Sequence, residues 1–306
     1  MEYFQLKTKV GLSVLPIAKF FNSGFDMDIL GIGRVGIASS GYLTFCDRAV
    51  YSSVPIEECR SCILTSKEHS ASVSLAYPNG QIIQVDDPRA AFIDAVQFLV
   101  DERHIAYSSL LPEQLRISPQ ASISAHARIE ADVRIDAGVF VAAGAVIRSG
   151  TWLQSNCSVG ENSVLGTNGI YVYIGLDGKR RRFPHLGSVV LEEAASLGAG
   201  CVVPRGILNS TRIGRGTIIG NLCNIGHGVE IESNAWISSS TVIGGQTCIG
   251  EGVTIGLGCA IKDNLKIGDL ANIGMGSVVT KNIRSRQSVF GNPAKSFTSI
   301  SAGPKR

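Results

Sequence analysis

Charge is scarce in this chain. Asp, Glu, Lys and Arg make up 17% of its 306 residues, and the formal net charge is +3. So small a balance argues against nucleic acid or an anionic membrane surface as a partner. No run of 18 apolar residues occurs, and residues 1–10 lack an apolar signal region. The sequence therefore predicts a cytoplasmic protein with at most peripheral membrane contact. Histidine is also rare, with His69, His104, His126, His185 and His227 making the full set. Only His126 and His227 fall on the repeats described below, far apart in sequence, so neither a metal site nor another bound cofactor is expected. Eight cysteines in a chain this long do not make a disulfide framework. Cys59 and Cys62 form one CxxC, a weak motif without a second pair or a nearby histidine.

What the chain has is a period. From Ile213, every sixth residue is aliphatic: Ile219, Ile225, Ile231, Ile237, Ile243, Ile249, Ile255, Ile261, Ile267, Ile273 and Val279 follow without a slip. Two places before each ladder residue stands a mostly small one, such as Thr217, Cys223, Ala235 or Ser277, and glycine often follows it directly. Neither a helix nor a simple strand has period six. A fixed short repeat points to a solenoid, in which each unit buries its apolar side against its neighbours. The same hexad begins at Ile117, breaks at 166–188, resumes at Leu191 and absorbs four extra residues around Asn209. Three hexads make one 18-residue coil, giving about eight coils of β-structure with the ladder residue and its i−2 neighbour both pointing inward. Cys157, Cys201, Cys223 and Cys259 occupy the small-residue position, where a thiol acts as a compact hydrophobe.

Residues 1–116 lack the hexad and read as a small α/β domain. Residues 14–21 form a short apolar segment with helical character. A clearer helix opens at Asp87 and Pro88, a cap residue followed by a residue suited to the first turn, with Phe92, Ala95, Val96 and Leu99 on one face. Residues 72–77 look β-like. The GIGRVG stretch at 31–36 matches GxGxxG, but residues 37–41 are turn-like rather than helical, so it reads as a glycine-rich loop between strands.

His227 stands two places after Ile225, at a coil corner where packing does not demand an imidazole. A histidine so placed suits general-base catalysis, taking a proton from an attacking amine. Gly245 lies 18 residues on, one coil further, and so about 5 Å from His227. A bare glycine lets a thioester carbonyl approach a backbone N–H, the donor that a developing oxyanion requires. The run Lys179, Arg180, Arg181, Arg182 in the insertion is either a solvated hairpin or an attraction for diphosphate or an acidic carrier protein. Trp152 and Trp236 sit at the outward place before a ladder residue, where exposed indoles suit a subunit contact.

The hexads resemble those of the hexapeptide-repeat acyltransferases, which implies a left-handed parallel β-helix. On this reading the domains are 1–116, then a β-helix at 117–284 carrying the 166–188 insertion, then a tail at 285–306. The N-terminal domain covers one end of the solenoid and the tail, with its Gly-Asn-Pro-Ala-Lys at 291–295, covers the other. More closely, residues 183–187, 219–230 and 242–245 look like those of UDP-3-O-acylglucosamine N-acyltransferase. That resemblance implies a homotrimer, a UDP-amino sugar acceptor and an acyl thioester co-substrate, carried by acyl carrier protein or by coenzyme A. It makes His227 the base and Gly245 the oxyanion donor. It places Phe45 and Tyr51, six residues apart, on either side of the uracil, and puts His185, Asn224 and Asn264 among substrate contacts. The sequence departs from that family at three places. Gly220 stands where the family keeps an Asp orienting its base, Asn264 where it has a second histidine, and Arg48 where it has an Asn beside the uracil. The tail suits coenzyme A-dependent sugar acetyltransferases better, and a non-catalytic scaffold is the third reading.

Overall fold

The computed structural model describes residues 31–32, 42–49, 60–101 and 116–297, which fall into two compact units. One holds the described residues up to 101 together with Ile170–Leu186, and the other holds 116–169 and 187–297.

The second unit is the expected β-solenoid, and the chain is mostly β. Its strands are two or three residues long because the chain turns a corner every six. Three sheets of seven, ten and eight strands stack coil upon coil. The register is the 18-residue spacing itself: Asn224 pairs with Val242 and Val242 with Ala260, all parallel. Interruptions leave the register intact, since Leu165 pairs with Val203 across the insertion and Val189 with Thr211 across the shorter one.

From Ile213 to Val279 no ladder residue is more than 4% exposed, and the small residues two places earlier are buried with them. Burial of threonine among aliphatics is tolerated because each hydroxyl reaches a backbone carbonyl. Thr217 donates to Glu232 O at 3.0 Å, Thr241 to Gly256 O at 3.2 Å and Thr247 to Lys262 O at 3.1 Å. Each buried aliphatic contributes roughly 1.5–3 kcal/mol gross, before chain entropy. Ile237→Ala should therefore destabilise the coil by about 2–5 kcal/mol, read as a lower denaturant midpoint.

The corners separate two kinds of glycine. Positive φ falls three places after the ladder residue, on Gly228, Gly252 and Gly276 but equally on Leu222, Asn234, Gln246 and Asn264. Apart from Gly166 at the insertion, glycine directly after the ladder residue has ordinary φ and is needed for another reason. A Cβ on Gly226 would overlap the backbone at Gly244 and Gly245 of the next coil, and one on Gly214 would meet Glu232.

Outward strand positions differ by face. Phe140, Ser158, Ser196, Ile218, Trp236, Thr254, Asn272 and Ser288 line one sheet, uncharged until Lys295 on its last strand. Val146, Val164, Val202, Asn224, Val242, Ala260 and Val278 line a second, after Arg128 at its start. The third carries the charges, with Arg134, Arg212, Glu230 and Lys266. Trp152 lies on that third face and is engaged by its own coil: its Nε1 donates to Asp136 at 2.8 Å and Arg134 stacks on its ring at 4.1 Å. Trp236 is 61% exposed beside Ile218, its register partner, which is 54% exposed.

The coil runs past residue 284. Ile283 bridges to Ile267, and Ser288–Phe290 adds a further parallel strand with Val289 in the core. Lys295–Phe297 then turns back antiparallel on it, so the last described strand reverses the direction of the stack.

The first unit holds a parallel sheet in the order β1 (Gly31–Ile32), β2 (Tyr42–Cys46), β3 (Cys62–Thr65), β4 (Gln81–Gln84). Of GIGRVG only Gly31 and Ile32 are described, as a strand, and residues 14–21, Cys59 and His104 lie outside the described residues. Burial pushes the Cys62 thiol up to about 12, well away from the reactive thiolate range. The expected helix is α2 (Pro88–Asp101), whose buried face includes Phe92, Ala95, Val96 and Leu99, and whose Ala90 N–H is capped by Asp87 Oδ1 at 2.9 Å. The β-like reading of 72–77 is corrected: Ser70–Ala76 is a helix, α1. Its buried residues, Val73 and Ala76, are three apart, while Leu75 is exposed, so the apolar spacing is helical and not alternating.

The insertion forms a hairpin of Val172–Ile174 and Arg180–Arg182 that belongs to this first unit. Asp87 ties it to α2: the Tyr173 hydroxyl donates to its carboxylate at 3.1 Å and Leu176 N–H at 2.9 Å. Arg181 spans Asp94 and Asp177, both at 2.8 Å, so this member of the basic run is a structural clamp. Lys179, Arg180 and Arg182 are exposed. Asp87→Ala removes the α2 cap and both hairpin bonds together. It should cost at least about 1 kcal/mol and raise amide exchange in 172–182 before the coil opens.

Candidate active site

The 18-residue register stacks His227, Gly245 and Asp263 in one column at the corner that follows the Asn224, Val242 and Ala260 strands. His227 is half-buried and its Nε2 edge covers the face of Gly245. A Cβ built on Gly245 would stand 2.8 Å from Nε2, 2.9 Å from Cε1 and 3.1 Å from Cδ2. A side chain at this position would have to displace the imidazole.

Gly245 O accepts from Asn264 N–H at 2.9 Å, while among the described residues the Gly245 N–H has no protein acceptor. Some equivalent corner amides are capped, Asn221 N–H by Ser239 Oγ at 3.0 Å and Glu251 N–H by Asp269 Oδ1 at 3.1 Å, while others, such as those of Ser233 and Leu257, resemble Gly245. Beneath Gly245, the bare Gly226 keeps a side chain away from its nitrogen. An uncapped amide beside an imidazole is the pair that acyl transfer needs, a base and an oxyanion donor.

Burial holds the His227 pKa below its ordinary value, and the negative charge of Asp263 opposes that shift. The sign follows: a depressed pKa keeps the imidazole neutral, and able to accept a proton, to lower pH than a free histidine would be. The acidic limb of kcat/KM should fall below about pH 6.5, and Asp263→Asn should move it lower still, as read from a pH–rate profile.

Two neighbours of His227 were not evident from the sequence. Asp263 lies two coils on, reachable by counting 36 residues along the register, but the resemblance drew attention to Asn264 instead. Gln246 places its amide nitrogen 3.4 Å from His227 Nδ1. Asn264 itself is a positive-φ corner residue whose exposed amide bonds Asp263 at 2.6 Å, a turn role that its φ of 58° explains. Asn224 points outward on the strand that leads into His227. Gly220, where the resembled enzymes keep a carboxylate, belongs to the preceding corner. A Cβ there would come within 2.6 Å of Ser239 N, so coil packing leaves no room for a side chain.

The other expected contacts lie in the first unit. Phe45 is partly exposed on β2, its ring 4.9 Å from Phe92 and 5.8 Å from the Arg89 guanidinium, which pairs with Asp47. Tyr51 is outside the described residues. Arg48 is exposed and His185 is buried at 2% exposure. Among the described residues, no group of three or more His, Cys, Asp or Glu is placed to hold a metal, and no helix is long and apolar enough to cross a membrane.

Known proteins are similar to this chain over part of its length. The UDP-3-O-acylglucosamine N-acyltransferase of Campylobacter lari is 31% identical over 117 residues, which are 38% of this chain and 37% of that protein. The protein of the same name from Campylobacter jejuni strain RM1221 is 37% identical over 117 residues, 38% of this chain and 36% of the relative. That from Caulobacter sp. is 30% identical over 112 residues, 37% and 33% of the two chains. The chain therefore spans little more than a third of the length of these relatives. No family model matches. Among solved structures, the UDP-N-acetylglucosamine acyltransferase of Arabidopsis covers 60% of this chain and 73% of its own at 18% identity, with a TM-score of 0.48. That of Bacteroides fragilis covers 60% and 74% at 18% identity, with a TM-score of 0.46.

Proposed function

We propose that this protein is an N-acyltransferase that moves an acyl group from a phosphopantetheine thioester to the amine of a UDP-linked amino sugar. The observation that carries the reading is the stacking of His227 on Gly245, whose N–H has no protein acceptor among the described residues. The amine nitrogen attacks the thioester carbonyl and His227 takes its proton. The Gly245 N–H receives the negative charge on the carbonyl oxygen. Collapse breaks the C–S bond, forms the amide, and the thiolate leaves with the proton returned through His227. Partial sequence identity with UDP-3-O-acylglucosamine N-acyltransferases supports the acceptor class, and the aromatic surface around Phe45 suits stacking against a base.

The protein works as a homotrimer on this reading. Two solenoid faces with almost no outward charge, one bearing the exposed Ile218 and Trp236, support association with further copies. The test is a thiol-release assay that crosses acyl carrier protein and coenzyme A thioesters of several acyl lengths with UDP-amino sugars. Turnover with any pair supports the reading, and the better donor decides between the carrier protein and coenzyme A. UDP binding without turnover of any donor would overturn it in favour of a non-catalytic scaffold.

A further inference from the structure

We infer that Gln246 is the positioning residue that fixes the His227 ring, in the role the resembled enzymes give to a carboxylate that this chain lacks; the inference rests on His227 acting as base. The corner architecture shows why Gln246 reaches the ring. At other corners the positive-φ residue lays an amide over a glycine of the preceding coil: Asn156 over Gly138, Asn162 over Gly144, Asn234 over Gly216. Gln246 occupies the same place over Gly228, with the same left-handed φ of 58°. Its side chain is one methylene longer than asparagine. The added length sets the amide nitrogen over Gly228 and also 3.4 Å from Nδ1 of the residue before it, His227. Gly228 is bare, and a Cβ there would occupy the position of the Gln246 amide nitrogen.

The two ends of a glutamine amide are told apart by their partners, and half a turn about the last side-chain bond exchanges them. In the structure Gln246 Nε2 faces His227 Nδ1 at 3.4 Å; a base whose lone pair lies on the other ring nitrogen requires the exchanged orientation, in which Oε1 faces the ring and accepts from Nδ1–H. The neutral imidazole then keeps its lone pair on Nε2, the nitrogen that covers Gly245. A neutral amide fixes the tautomer without adding a charge that would favour imidazolium. Asp263, whose charge acts on the ring, is exposed and sits on the other side of the stack, beyond Gly245.

The test combines ring spectroscopy with kinetics. In the whole protein, 15N NMR of the imidazole at neutral pH should show His227 mainly as the Nδ1–H tautomer, and Gln246→Leu should abolish that bias. Gln246→Leu should also lower kcat about tenfold or more with KM little changed. Gln246→Glu should retain turnover and move the acidic limb of the pH profile upward, because an anion against the ring favours its cation. A wild-type ring mainly in the Nε2–H form would overturn the inference, as would Gln246→Leu leaving both tautomer and kcat unaltered. If no donor is turned over by the wild type, the acyltransferase reading fails and the tautomer still decides the role of Gln246. If His227→Ala is inactive while Gln246→Leu is fully active, only the role of Gln246 fails.

Discussion

Replacing His227 with alanine lowers thiol release by about 10²–10⁴-fold, the range set by loss of a positioned general base. The solenoid should not register the change, because His227 is a half-buried corner residue that contributes nothing to the buried ladder. Circular dichroism, assembly state and thermal midpoint are expected to stay within error of the parent protein. This combination separates a chemical role from a packing role. A drop in turnover with an equal drop in folded protein would assign His227 to structure, and full turnover would remove it from the mechanism.

Gly245→Ala tests the other half of the site through sterics. The new methyl would fall 2.8 Å from Nε2 of His227, so either the ring or the coil corner must shift. A displacement near 1 Å in a reacting group costs about 10²-fold in rate. Gly245→Ala should therefore lower kcat on that order. Gly258→Ala is the control. Gly258 has positive φ and nothing within 4 Å of an added Cβ, so its cost is backbone strain without obstruction. The control should lower stability while leaving kcat near that of the parent. Equal kcat values in the two variants would argue against a tight contact between the Gly245 face and the imidazole.

The solenoid could be read in the sequence because period six cannot be produced by a helix or a plain strand, and the ladder from Ile213 to Val279 never slips. The α2 helix was legible from local chemistry, Asp87 capping and Pro88 in the first turn. Features that depend on neighbouring coils were harder to see. Glycines after the ladder residue look like turn formers, yet they are there for close approach, and the left-handed corners are often Asn, Gln or Leu. Helix α1 is not legible in the sequence, because a seven-residue segment with Val73, Leu75 and Ala76 fits both periods until burial distinguishes them. At the site, His227 and Gly245 follow from the register alone. Gln246 does not, since its importance depends on side-chain length over a particular glycine. Glycine at 220 is likewise a matter of the next coil, because backbone packing at Ser239 N dictates it.

The hairpin at Ile170–Leu186 has a consequence for how the molecule is made. Asp87 and Asp94 emerge from the ribosome well before Tyr173, Leu176 and Arg181, the groups that bond them. Between the two lie the first coils of the solenoid, so a long loop must close before the first unit holds all its contacts. A nascent chain halted at residue 169 would contain β1 to β4 and both helices yet leave the Asp87 carboxylate without its hairpin partners. The earlier unit in the chain is thus completed later in synthesis, and its maturation waits on the elongation of its neighbour.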